Sequence, residues 1–185
     1  MEHPIKREEY KGHIIKIYID EMSESPREWD NLGTMACFHR HYILGDVHDY
    51  SIEDVKDLVL RSDVISLPLY LYDHSGITMS TSRSKWPFNC PWDSGQVGYI
   101  FVTKEKIKEE FSRKRVTKKL IEKVIEILRS EVAIYDVFIR GDVTGYEIEN
   151  GEEDIVDACW GYYNLEHLLE DAKRIIDNGE ENGRD

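Results

Sequence analysis

The sequence predicts an α+β domain with a mostly antiparallel sheet packed by about four helices. Three observations lead there. Some stretches follow the two-residue period of strands and others the 3.6-residue period of helices. Their order is strand, helix, strand, strand, helix, helix, hairpin, helix, which lacks the regular alternation of a parallel α/β sheet. The 185 residues are 41% hydrophobic, enough to bury a core in a chain of this length.

The elements follow in order. HIIKIYID (13–20) sets Ile15, Ile17 and Ile19 opposite Ile14, Lys16 and Tyr18, a strand with one strongly apolar face. Residues 21–34 hold Ser23, Ser25, Pro26, Asp30, Asn31 and Gly33, the composition of a loop. MACFHRHYIL (35–44) reads as a short strand or an irregular segment. Ser51 with Asp54 three residues on approaches a capping box and opens a helix through EDVKDLVLRS, with Val55, Leu58 and Val59 inward. VISLPLYLYD (64–73) is an apolar strand in which Pro68 marks an edge or a bulge. A long Ser, Thr, Pro and Gly-rich loop follows, and then VGYIFVT (97–103), the strongest strand signal in the chain. Thr103 caps a short helix beginning KEKIKEEF. A longer helix over 117–138 turns Leu120, Val124, Ile127, Leu128, Val132 and Tyr135 to the core. TGYEIE (144–149) and DIVDACWGYY (154–163) form a hairpin signalled by Asn150-Gly151, its loop lengthened by the acids that follow. The last helix, 165–177, buries Leu165, Leu168, Leu169, Ala172, Ile175 and Ile176. One domain over 1–178 and a frayed acidic tail over 179–185 complete this expectation.

Charge narrows the function classes. The 37 acidic and 24 basic residues give −13, unfavourable for phosphate binding by the molecule as a whole. The segment KEKIKEEFSRKRVTKKLIEK (104–123) is nonetheless locally +5, which leaves −18 on the remainder and −11 from Asp142 onward. Nucleic-acid binding is therefore confined to that basic segment. No apolar run reaches the ~18 residues of a membrane span, and the start of the chain does not read as a secretory signal. Three cysteines, Cys37, Cys90 and Cys159, suit a reducing compartment, so the expected location is the cytoplasm.

The loop DHSGITMSTSRSKWPFNCPWDSGQ (73–96) is the most unusual stretch, too long and too aromatic for a passive connection. One reading makes Cys90 a thiol nucleophile with His74 as its base and Asp73 or Asp93 orienting the imidazole, the set a cysteine-dependent hydrolase requires. A second makes Tyr70, Tyr72, His74, Trp86, Trp92 and Tyr99 the walls of a small-molecule site for a nucleotide or signalling ligand, using residues 73–99. The bland alternative packs these side chains as core. Ser94 lacks the flanking pattern of a nucleophile elbow, since WDSGQ precedes a strand. Cys37, His39 and His41 alternate and could join His48 with Asp46 or Asp49 around zinc, though a polar strand face accounts for them equally. No phosphate-binding, dinucleotide or calcium-loop pattern occurs, so no cofactor is implied.

Four segments, SPREWDNLGTMACFHRHYILGD (25–46), LPLYLYDHSG (67–76), PWDSGQVGYIFVTKE (91–105) and CWGYY (159–163), resemble an uncharacterised family of small acidic proteins of bacteriophages and mobile elements. WDSGQVG is its most specific part. The resemblance implies no activity, cofactor or catalytic residue. It implies a context, in which such proteins bind and disable a host system. The expected function is accordingly a phage-type accessory protein whose acidic surface engages a basic host protein, a nuclease or other defence component. The aromatic-loop ligand site and the Cys90 enzyme are the alternatives, and a homo-oligomer is left open.

Overall fold

The protein is described by a computed structural model over residues 3–182. Its strands are β1 (Lys6–Tyr10), β2 (His13–Ile19), β3 (Thr34–Cys37), β4 (Val64–Asp73), β5 (Ile77–Ser80), β6 (Ser94–Thr103), β7 (Thr144–Glu149) and β8 (Ile155–Tyr162). Its helices are α1 (Ile52–Val59), α2 (Lys104–Glu110), α3 (Lys118–Ile139) and α4 (Leu165–Asn182). The α+β class holds. The single expected sheet is instead two antiparallel sheets of four strands, ordered β1-β2-β7-β8 and β3-β6-β4-β5. They belong to two compact units, unit 1 from Met1–Glu24 with Gly141–Asp185 and unit 2 from Ser25–Arg140. Periodicity shows which face of a strand is buried and is silent on its neighbour. Here β2 pairs with β7, Ile17 opposite Tyr146, across most of the sequence.

In unit 1, α4 covers one face of the sheet. Ile15, Ile17, Tyr146 and Ile148 meet Leu168, Ala172 and Ile176 in one buried cluster. Burying these side chains supplies about 1.5–3 kcal/mol for each large aliphatic, and the ion pairs Glu8–Lys173 (2.6 Å) and Asp177–Lys11 (2.7 Å) fasten the helix to the β1 hairpin. β1 escapes a hydrophobic-period reading, since KREEY has one apolar side chain and serves as an edge. Of the tail expected to fray, residues 179–182 are helical as the end of α4, and 183–185 lie outside the described residues.

In unit 2 the sheet is covered on both faces. Leu69, Leu71, Ile100 and Val102 pack toward Val124, Leu128 and Val132 of α3, with Ile107 of α2 in the same cluster. Ala36, Phe101 and Val55 of α1 form a second cluster, joined by Tyr99. Burial on both faces is why β4 and β6 read as near-continuous apolar runs. Pro68 sits where β4 lacks a second neighbour, because β5 reaches only Tyr70 to Asp73. The expected capping box at Ser51 and Asp54 is present. The segment read as 35–44 is a strand only as far as Cys37, and the long loop contains β5.

A buried ionic network ties the loop before β3 to α3. Arg27, with 4% of its side chain exposed, grips Asp46 through Nε and Nη2 (2.7 and 3.0 Å) and Glu131 through Nη1 (3.2 Å). Asp46 also accepts the amide of Met35, and Glu131 those of Leu32 and Gly33. Burial opposes the guanidinium charge, but the two carboxylates outweigh it and hold the Arg27 pKa above the usual arginine value.

Candidate functional site

Antiparallel pairing brings the C-terminal ends of β3 and β4 and the N-terminal ends of β5 and β6 to one end of the unit 2 sheet. The loops after Cys37 and around residues 74–93 therefore gather there. The WDSGQVG motif is the device that builds this end. The Asp73 amide donates to the Asp93 carbonyl (2.8 Å), closing the mouth between β4 and β6. The Ser94 hydroxyl faces the Phe88 carbonyl (2.8 Å) and that of Cys90, so its single proton is committed to pinning the loop. A register shift near Tyr70 bulges β6 around Val97, whose carbonyl accepts from the Phe38 amide (2.7 Å). Gly98 permits β3 to approach, because a Cβ there would lie 2.0 Å from the Ala36 carbonyl oxygen.

These loops border an open groove of about 530 Å³, lined among others by Phe38, His39, Arg40, Asp73, Trp92 and Gln96. Trp92 is 90% exposed and Trp86 69%. Tyr42 stacks on His39 (5.0 Å, 14°) and donates to Asp73 Oδ1 (3.1 Å), a bond that raises the tyrosine pKa.

The expected residues converge only in part. His74, Cys90 and Asp93 do meet, with Asp93 between the other two. Its Oδ2 lies 3.5 Å from Cys90 Sγ and its Oδ1 3.6 Å from His74 Nδ1. Thiol catalysis needs an imidazole or another cationic group at the sulfur. The charged group at this sulfur is a carboxylate, so the arrangement lacks the order Cys–His–Asp. Desolvation, with the charges of Asp93 and Cys90 adding to it, raises the pKa of neighbouring Tyr72. The proposed aromatic walls also separate. Tyr72 contacts Trp86 (5.8 Å) and His74 (6.3 Å), whereas Tyr99 packs in the α1 cluster and only Trp92 lines the groove. Tyr70 lies on β4 outside that lining.

The zinc candidates do not assemble: among the described residues no group of three His, Cys, Asp or Glu is placed to hold a metal ion. Cys37 packs against the α3 core, and burial pushes its thiol up to about 12. Asp46 is taken by Arg27. His48 meets Phe38 edge-on (5.1 Å), its Nδ1 buried without a hydrogen-bond partner. His39 accepts the amides of His41 and Tyr42 at Nδ1 (both 3.3 Å), a turn-stabilising role. Sequence reasoning missed His39, Arg40 and Gln96 as groove residues, because only the β6 bulge and the sheet end bring them together.

No family model, no curated protein and no solved structure matches the chain. No helix among the described residues is long and apolar enough to cross a membrane.

Proposed function

We propose that the protein is a phage-type accessory binding protein whose unit 1 occupies a basic surface of a host nuclease or other defence component. The observation that supports this reading most is where the charge resides. Unit 1 has 20 acidic and 7 basic residues and unit 2 has 17 of each, so the entire −13 belongs to unit 1. A surface evolved to attract phosphates attracts such a body over long range and from any approach. The hairpin acids Glu152, Glu153 and Asp154 adjoin exposed Ile155, Val156 and Trp160 on β8. An apolar and aromatic centre beside charged residues is how protein interfaces are built. The β8 edge away from β7 has no strand partner among the described residues. Titration calorimetry with purified restriction and RNA-guided nucleases tests this. Binding should weaken at least tenfold between about 50 and 500 mM salt, where screening shortens the reach of charge. Absence of binding across the panel, or salt-insensitive binding, contradicts it.

A second reading is supported by the unit 2 groove. Its exposed Trp92, the carboxylates of Asp73 and Asp93, and Arg40 with His39 suit a polar small molecule bearing both signs of charge. Thermal shift against nucleotides, cyclic nucleotides and amino acids should give a stabilising ligand whose effect Trp92→Ala removes. A flat response rejects the site.

A further inference from the structure

We infer that the turn between α2 and α3 forms a groove that binds the phosphate backbone of a nucleic acid without reading its sequence. This goes beyond the unit 1 interface and concerns a different part of the chain.

The stretch FSRKRVTKK (111–119) holds five cations and no acid. The structure explains how they are displayed. Past α2 the Phe111 amide bonds back to Ile107 (3.1 Å) and the Arg113 amide to Lys108 (2.9 Å). Ser112, at φ +49°, turns the chain through the left-handed region. Thr117 then caps α3 by accepting the Leu120 amide. Between the two helices lies a groove of about 660 Å³ lined by Phe111, Arg113, Arg115, Thr117, Lys119, Leu120 and Lys123. Four of these are cations and none is an anion.

Other cations of this region are committed within the fold. Lys104 donates to the Ser62 carbonyl (2.7 Å), Lys106 to that of Asn31 (2.8 Å), and Arg129 pairs with Glu126 (2.7 Å). Among the described residues, Arg113, Arg115 and Lys119 are exposed and form no ion pair with the protein's own acids. The first turn of α3 also has two lysines and no acid, opposite to what the helix dipole favours. Like charges held together this way repel one another, and a bound polyanion relieves that repulsion.

The lining favours a nucleic-acid backbone. Two guanidinium forks match phosphate oxygens. Lys123 covers the Phe111 ring at 5.0 Å, and Phe111 packs against the core, so the ring is not an open platform for a base. No Asn, Gln, Asp or Glu lines the groove to pair with adenine or cytosine edges, and among the described residues no ion pair holds the exposed Arg113 and Arg115 forks in the fixed orientation a guanine contact needs. Contacts thus end at phosphates, which position a strand without specifying it. An anionic membrane is the poorer fit, since the two apolar lining residues are half-buried and neither can insert.

The test is fluorescence anisotropy of labelled single-stranded 20-mers of two unrelated sequences with the full chain. With about five phosphates engaged, affinity should fall about 100-fold between about 50 and 200 mM salt, and equally for both sequences. The R113E/R115E/K119E variant should lose at least about tenfold in affinity at the lower salt, and R113Q/R115Q/K119Q less. Circular dichroism should be unchanged in both, because these side chains support nothing in the fold. Neutralising the unit 1 hairpin with E152Q/E153Q/D154N should not weaken oligonucleotide binding, which separates this groove from the proposed protein interface. No binding at about 50 mM salt, binding that survives charge reversal, strong sequence preference, or capture by phosphatidylserine vesicles instead of oligonucleotides would each overturn the inference.

Discussion

Arg27 shows how one side chain can decide the shape of a loop. It holds two carboxylates from positions 19 and 104 residues away, with a further bond to the Gly33 carbonyl (2.7 Å). Arg27→Met leaves the partly buried Asp46 and Glu131 with their backbone amide donors but no countercharge, so unfolding in urea should show a loss of about 2–4 kcal/mol, below the full penalty of a buried unpaired charge. Gly98→Ala forces a Cβ onto the Ala36 carbonyl and should cost about 1–3 kcal/mol by the same measurement, as overpacking does. The thiols give a third test. The Cys37 pKa is raised to about 12 by burial, so at pH 8 it stays protonated and should resist a disulfide reagent until the protein unfolds. Cys159, exposed on β8, should react in the native state. None of these roles was legible from residue type alone. Ser94 and Gly98 stood out within an unusual motif, but only the paired strands show that they serve the backbone. The spacing of Cys90, His74 and Asp93 leaves open whether they meet, and the loop fold, which spacing does not encode, places Asp93 between the other two.

At the level of elements, local signals were read well wherever the chemistry was local. The Ser51 cap, the α3 apolar stripe and the Asn150-Gly151 hairpin with its lengthened loop all appear. What failed was sheet membership, the polar edges and part of the α4 stripe, where Leu165 and Ile175 are exposed while Leu168, Ala172 and Ile176 are buried. β1 has almost no apolar signal, and β5 is four residues inside a polar loop. The attachment of α4 to β1 makes a pH prediction. Glu8 has its pKa lowered by hydrogen bonds from Lys173 and Lys6, and Asp177 by one from Lys11. A depressed folded-state pKa adds stability that is fully present above the unfolded value and is lost as pH falls through the folded one. Hydrogen exchange should therefore show unit 1 helix amides loosening below about pH 4.5, starting near the ordinary glutamate value. Lys173→Met should make that region insensitive to the titration of Glu8 through Lys173, and an unchanged profile contradicts the ion-pair account.

Across the whole molecule, the net charge of −13 is a property of one unit. Read along the sequence it appears as a basic helical segment against an acidic remainder. The units divide it otherwise, because the basic segment belongs to unit 2 and is balanced there by that unit's own acids. No sequence window could show this, since unit 1 is assembled from the two ends of the chain and its sheet from strands far apart. The molecule therefore combines a strongly acidic unit with a neutral one that contains a cationic groove. On the proposed function, the acidic unit confers inhibition. The most direct test is the rate of DNA cleavage by a purified basic host nuclease as this protein is added, at about 50 mM salt, beside the E152K/E153K/D154K variant. Charge-driven occupancy predicts dose-dependent inhibition that falls at least tenfold in potency in the variant. Undiminished inhibition by the variant, or no inhibition of any nuclease tried, would contradict it.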